Sequence, residues 1–600
     1  MGIRRTLGLT VAAVLATAVW GVGAVSGLSG PRGVVTYAEA PGANPNYIFP
    51  FASCQYASSN NINQFQMLMY RPLYWFGLGH STTFAPAVSL ALAPKFTNGD
   101  RTVTITLKGW RFADGQLVNA RSVMFFLNMY RADPTAYCGY NAGFGIPDQV
   151  ANASGTGETV RINFTKPVNP NWTFYNYLSE ITPLPDLWDR TSPTKRANCA
   201  GGAFGAASTK ASCTAVVSYL SSLAAETGTF TGKLWQSGVD GPWRLTAFDS
   251  QGNATFQANT HYSGPQKAQV LKVEERAYRT SQAEQNDLIA GRLSIGYLDP
   301  SALTSPVVPA GQPSANWAPL TGHYTMTVGN TWSFNLAALN FSTADPKSAA
   351  INQLYIRQAL QQSVDQNSLI QAAFKGYGSP VYSPLPPQTP AVLAKPFNNP
   401  YPFDPVAAQL LLVDHGWTLM NGVLTCTSPG TAANQCGARI TNGYTLNFNV
   451  VAAGGSPSLV QIINAEATSW RNLGIGVTVI IASFNNVISD CSGGSGFEIC
   501  AWGTGWTYEP NYYPSGESLF TPGGGGNAGG YSDPRMTTLV NDSTYGKGTL
   551  TAYANYAAQQ LPVLYQPQSM AIQETLKGLR SSVGLIPNPL GNFTPEYLHF

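Results

Sequence analysis

Between Thr102 and Leu107 apolar and polar residues alternate strictly, with Val103, Ile105 and Leu107 set against Thr102, Thr104 and Thr106. A period of two is that of a half-buried strand. Asp114-Gly115 supplies a turn, and Asn119 stands where its side chain can cap a helix. Val123, Phe126, Leu127 and Tyr130 then recur at helical spacing and predict one buried face.

The same two periods organise the rest of the chain. Trp243 to Phe248 and Ala254 to Ala258 read as paired strands around Ser250-Gln251-Gly252-Asn253. Ser281 with Glu284 has the spacing of a capping box, opening a helix that ends at Gly291. Phe334 to Phe341 predicts a strand, and Ile351 to Val364 a helix with Ile356, Ala359, Leu360 and Val364 inward. Asp404-Pro405 opens a further helix that Gly416 closes. In residues 444–481, Leu446, Phe448 and Val450 alternate as a strand. Leu459, Ile462, Ile463, Ala467 and Trp470 then form a helical stripe, Gly474 stops it, and Val477 to Ile481 form a second strand. A strand–helix–strand crossover of this length implies parallel neighbours, so the chain is expected to be α/β.

Composition narrows this picture. Six hundred residues exceed what one core usually needs, so two or three domains are expected. Hydrophobic residues make up 44%, which excludes a disordered chain. Charged residues make up only 10%, against about 25% in an average domain. With a net charge of +3 and no basic run, nucleic acid is not an expected partner.

Arg4-Arg5 precede an apolar run from Leu7 to Val25, followed by small residues up to Pro31. That order fits a secretory signal cleaved near residue 30, with an uncleaved single-pass anchor as the rival. The chain is therefore expected outside the cytoplasm, where its eight cysteines form disulfides. Spacing suggests the short loops Cys199–Cys213, Cys426–Cys436 and Cys491–Cys500, leaving Cys54 and Cys138, among on the order of a hundred possible connectivities. Zinc is a poor alternative, since no Cys-x-x-Cys occurs and five scattered histidines form no ligand set.

The stretch Leu107-Lys108-Gly109-Trp110-Arg111-Phe112-Ala113-Asp114-Gly115, between strand and helix, resembles the signature of the family 5 extracellular solute-binding proteins. These are the oligopeptide- and dipeptide-binding proteins of ABC importers. Further segments resemble the family in order: Tyr70-Arg71-Pro72-Leu73-Tyr74, Gly241-Pro242-Trp243-Arg244-Leu245, Asn259 to Gly264, Arg357-Gln358-Ala359-Leu360 with Val364-Asp365, Tyr401 to Trp417, and Tyr531-Ser532-Asp533-Pro534. The resemblance runs from about Tyr37 to the C-terminus. It implies a two-lobed periplasmic-binding-protein fold, type II, in the large three-domain form. Residues 34–72, 180–276 and 561–600 would build lobe one, 73–179 its extra domain, and 277–560 lobe two. It also implies a small peptide or peptide-like solute, a membrane permease as partner, a monomer, and no cofactor. Many relatives carry a lipid-modified cysteine directly after the signal. The first cysteine here is Cys54, so the resemblance does not extend to a lipoprotein.

By resemblance, the loop Ala501 to Pro510 contributes to the ligand cleft, and Trp502, Gly503, Gly505, Trp506, Thr507 and Tyr508 are its candidate contacts. Aromatic rings among glycines suit an adaptable pocket; equally, the tryptophans could be ordinary core, since the chain has 13. Asn60, in Ser58-Ser59-Asn60-Asn61, and Asn340, at a strand end, are further candidates. Peptide-binding relatives hold the ligand's ammonium with an aspartate shortly before the proline. The matching positions here, Gly505 or Trp506, are not acidic, and Glu509 matches a structural position. An N-blocked or cyclic peptide, a glycoside or an opine-like compound is therefore expected rather than a free peptide N-terminus.

Enzyme signatures are missing: there is no Gly-x-Ser-x-Gly elbow and no His-Glu-x-x-His. Gly524-x-Gly526-x-x-Gly529 fits a dinucleotide pattern by letter only, with no strand before it, and reads as a flexible loop. A secreted hydrolase and an adhesive surface protein are the alternatives to a solute-binding protein without covalent chemistry.

Overall fold

The computed structural model describes residues 33–303, 320, 322–342, 347–492, 496–503, 505–508, 512–545 and 548–600. The apolar leader, Thr504, Glu509 and Pro510 lie outside the described residues, and with them the expectations placed there.

Thr102–Thr106 is a strand with Val103 and Ile105 fully buried. It pairs antiparallel with Lys95–Thr97 and Thr159–Phe164 in a four-stranded sheet completed by Val150–Thr156. Helix Ala120–Ala132 follows, and the Asn119 side chain accepts from the N–H groups of Arg121 and Ser122, as a cap should. The helix is buried beyond the predicted face, including Phe125 and Met129, because helix Ala207–Ala224 packs on it as well as the sheet.

Two larger sheets carry the two halves of the molecule. A seven-stranded mixed sheet has the order Tyr324–Gly329, Ala571–Leu576, Ile295–Tyr297, Val34–Ala38, Lys272–Arg276, Ala254–Ala258, Trp243–Phe248. A five-stranded sheet has the order Gly476–Ala482, Asn447–Ala453, Ile499–Ala501, Leu336–Leu339, Val563–Tyr565. The predicted crossover is the heart of the second sheet. Asn447–Ala453 runs parallel to Gly476–Ala482 over seven residues, joined by helix Pro457–Asn472, and Gly474 past its end has φ +90°. The chain passes between the two sheets twice, through residues 330–335 and 566–570.

Three local expectations need correction. The cap of helix Ser281–Ile289 is Thr280, whose side chain accepts from Ala283 N; Ser281 donates instead to Gly455 O. Glu284 turns inward and accepts from Tyr297 N, so no capping box forms. The strand over 334–341 is broken at Asn335, whose side chain accepts from Leu336 N and donates to Pro567 O. The helix over 351–364 divides into Ser348–Ile351 and Leu354–Gln362, because Asn352 folds back to donate to Ser348 O and Phe341 O. Ile356, Ala359, Leu360 and Val364 are buried as expected.

Four disulfides join Cys54–Cys138, Cys199–Cys213, Cys426–Cys436 and Cys491–Cys500. Among the described residues no helix is long and apolar enough to cross a membrane.

Candidate functional site

Segments from both halves enclose a cavity of about 190 Å³. The half with the seven-stranded sheet contributes three stretches: residues between Pro50 and Pro72, Tyr137 to Gly139, and Ser179 to Thr182. The other half contributes helix Phe484–Ser492, the loop around Trp502 to Thr507, and residues between Tyr512 and Ala528. Two of these stretches adjoin π-helical turns, Asn60–Gln66 and Phe174–Leu178. Such widened turns recur at functional sites because they re-aim side chains from an otherwise regular helix.

The loop is built by its glycines. Gly505 has φ +72°, and a Cβ there would lie 2.1 Å from Phe334 O. Only glycine lets the loop turn this close to the strand behind it. Trp502 then donates its indole N–H to Gly505 O at 2.6 Å, closing the turn, and Trp506 pairs in a short strand with Phe334. Trp502, Gly505, Trp506 and Thr507 lie on the cavity wall.

The remaining candidates lie elsewhere. Gly503 backs onto Leu459 rather than the cavity, and Tyr508 is buried with its hydroxyl donating to Pro384 O. Asn340 donates to Phe497 O and accepts from Ser342 N, which fixes the strand end. Asn60 donates to Gln64 Oε1, while its neighbours Ser58 and Ser59 face the cavity. The Gly524–Gly529 stretch is packed structure rather than a loose loop. A Cβ on Gly525 would lie 2.0 Å from Cys138 O, and one on Gly526 2.5 Å from the Trp506 ring, and both glycines line the wall.

Sequence reasoning missed Tyr137, Phe484, Tyr512 and Glu180, which line the cavity from segments with no motif of their own, and Tyr70, which opens a family-like segment but was not read as a contact. The disulfides bring some of them into place: Cys54–Cys138 holds the Tyr137 stretch, and Cys491 lies on the wall opposite. The halves are bridged around the cavity. Asn485 donates to Asn44 O at 3.0 Å, and Trp172 and Asn176 donate to Glu517 Oε1 at 3.0 Å each. Phe76 and Tyr512 stack with centroids 4.4 Å apart.

Among the described lining residues the wall is aromatic and neutral apart from one carboxyl. Glu180 is 3% exposed; burial pushes its pKa well above the ordinary carboxylate value, and the nearby Glu517 adds to the rise. Among the described lining residues there is no lysine, arginine or histidine. No group of three or more potential metal ligands occurs among the described residues. Chemically, the site can enclose an apolar or aromatic solute and offer it hydroxyl, backbone and carboxyl partners.

A sequence model of the bacterial extracellular solute-binding proteins, family 5, middle region, matches residues 86–526. Heme-binding protein A of Haemophilus influenzae is 33% identical over 86 residues, a stretch amounting to 14% of either chain. The oligopeptide-binding protein AppA of Bacillus subtilis, solved with a nonapeptide, superposes with a TM-score of 0.71 at 16% identity, covering 94% of this chain and 98% of that one. OppA of Haemophilus influenzae, solved with RPPGFSPFR, superposes with a TM-score of 0.68 at 15% identity, covering 95% and 99%. At these identities the likeness establishes the fold.

Proposed function

We propose that this chain, which belongs to the family 5 bacterial extracellular solute-binding proteins, captures a peptide-like solute between its two halves and presents it to an ABC permease. The observation that carries this reading is the cavity itself, walled by the Trp502–Thr507 loop on one side and the Ser58–Tyr70 stretch on the other. The reading includes no covalent step and a monomeric, exported protein.

The two passages at 330–335 and 566–570 are where the halves would hinge. On that basis we assign the described residues of 277–329, expected in lobe two, to lobe one, because Ile295–Tyr297 and Tyr324–Gly329 pair into its sheet. Lobe two then spans roughly 330–570. A solute stabilises the closed arrangement by its differential affinity for it over the open one.

The test is native mass spectrometry of protein purified from its own host, paired with thermal shifts against peptides and glycosides. A micromolar solute corresponds to about 8 kcal/mol of binding free energy. Free solute at a hundred times its dissociation constant stabilises by about 2.7 kcal/mol, which a melting curve reads. No retained mass and no shift with either library would overturn the reading.

A further inference from the structure

We infer that the bound solute carries an aromatic ring, which stacks on the Trp506 indole, and beside it a carbonyl oxygen that accepts from the indole N–H. This rests on the solute-binding reading above and names the chemistry of the solute.

Trp506 is held from two sides. Its main chain pairs with Phe334, in the passage at 330–335 that joins the halves. The far edge of its indole lies against Gly526, where a Cβ would stand 2.5 Å from the ring. With its strand paired and its ring edge seated on backbone, the indole is a flat wall of set position. A preformed flat surface suits a flat group, because little ordering is left to be done on binding. Two stacked aromatic rings also gain more than the area they bury accounts for.

What this indole still offers sets it apart from the other rings of the cavity. Trp502 is 8% exposed and gives its N–H to Gly505 O. Tyr70, Tyr137 and Tyr512 pack against the rings of Trp188, Phe51 and Phe76. Trp506 is half-buried on the wall. Among the described residues it pairs with no other aromatic ring, and its N–H reaches no acceptor. An indole N–H covered without a partner is costly, so a solute that closes over Trp506 brings one. A main-chain or acyl carbonyl of a peptide-like solute serves. A carboxylate serves worse, since no lysine, arginine or histidine among the described lining residues shares its charge.

The test uses cyclic dipeptides and N-acetylated, C-amidated linear ones on the full chain. Each pair has phenylalanine in one member and its saturated analogue, cyclohexylalanine, in the other. Thermal shifts find the binders, and calorimetry measures their affinities. The phenylalanine member should bind at least about threefold tighter, although the cyclohexyl group is the more apolar. Trp506→Leu should bind both members alike. Trp506→Phe keeps a ring face and loses the N–H, so it should keep the preference while weakening both members at least about threefold. Gly526→Ala pushes the indole edge from its seat and should reduce the preference. The backbone of Gly526 is not left-handed, so alanine there displaces the ring without straining the turn.

Equal or tighter binding of the saturated members by the parent chain overturns the inference and leaves the solute-binding reading intact. So does a Trp506→Leu protein that keeps the preference. If that variant does not fold, Gly526→Ala decides, and an unchanged preference there overturns the inference. A Trp506→Phe protein that binds as tightly as the parent overturns the carbonyl contact. A library that shifts nothing overturns this inference and the peptide-like reading together.

Discussion

Arg71 and Glu596, 525 residues apart, form an ion pair with both side chains 1% exposed. The guanidinium also lies over the Trp75 ring, 4.1 Å from its centroid. The pair fastens the C-terminal tail to the stretch that supplies Tyr70 and Pro72 to the cavity. Removing one partner leaves a buried charge uncompensated, which typically costs about 3–5 kcal/mol. Glu596→Gln should therefore lower the unfolding free energy by about that amount in urea denaturation. Joint replacement by apolar residues, Arg71→Met with Glu596→Leu, should recover most of it. A single-variant loss under about 1 kcal/mol would show that the pair is not desolvated as described.

Stability should fall as pH rises above the acid range. Burial holds the carboxyls of Glu39 and Glu275 well above their ordinary range, and those of Asp240, Glu284 and Glu466 at about 8. In the unfolded chain these groups ionise near pH 4 to 4.5. Between there and pH 8 the unfolded chain has released protons that the native one retains, so each unit of alkalisation favours unfolding. Asp249, Glu274 and Asp287 are held low by their partners and act oppositely, losing their contribution only as pH falls through the acid range. The melting temperature should be higher at pH 5 than at pH 8.5, and Glu275→Gln should flatten the slope. A protein more stable at pH 8.5 contradicts this.

Periodicity revealed the elements whose packing is one-sided or whose ends are capped locally. Asn119, Asp404 and Gly474 do in the structure what their residue types predict, because caps and left-handed turns are settled by neighbours in sequence. Asn335 broke a predicted strand because its side-chain partner, Pro567, is remote, and Asn352 a predicted helix because its amide folds back onto Ser348 O and Phe341 O. The cavity followed the same division. Its tryptophan loop was legible through family resemblance, whereas Glu180 and Tyr137 reach the wall only through long-range packing and the Cys54–Cys138 link. Neither stands in a pattern that periodicity or motif could register.

Gly505→Ala should separate folding from binding. The added methyl would meet Phe334 O, and the residue sits at φ +72°, so the loop must move away from the strand behind it. Trp502, whose indole hydrogen bond ends on Gly505 O, moves with it. The halves' sheets do not depend on that turn. The expected outcome is a cooperative melt lowered by about 1–3 kcal/mol, with solute affinity reduced at least as far as by Trp502→Ala, about thirtyfold or 2 kcal/mol. Affinity retained in Gly505→Ala would mean the loop does not shape the cavity.

The disulfides differ in what they constrain, and the difference is measurable. Cys54–Cys138 spans 84 residues and has both cysteines on the cavity wall, whereas Cys426–Cys436 spans 10 and touches the cavity nowhere. Loop-closure entropy assigns roughly 4.5 kcal/mol to the first and roughly 2.7 kcal/mol to the second. Replacing both cysteines of a pair by serine should follow that order in stability. Only loss of Cys54–Cys138 should also weaken solute binding, because it frees Tyr137 and Gly139 from the stretch that faces the tryptophan loop. Calorimetry on the two double-serine proteins, at a temperature where both stay folded, distinguishes the cases. Equal affinity in both would place the Tyr137 stretch outside the solute's contacts.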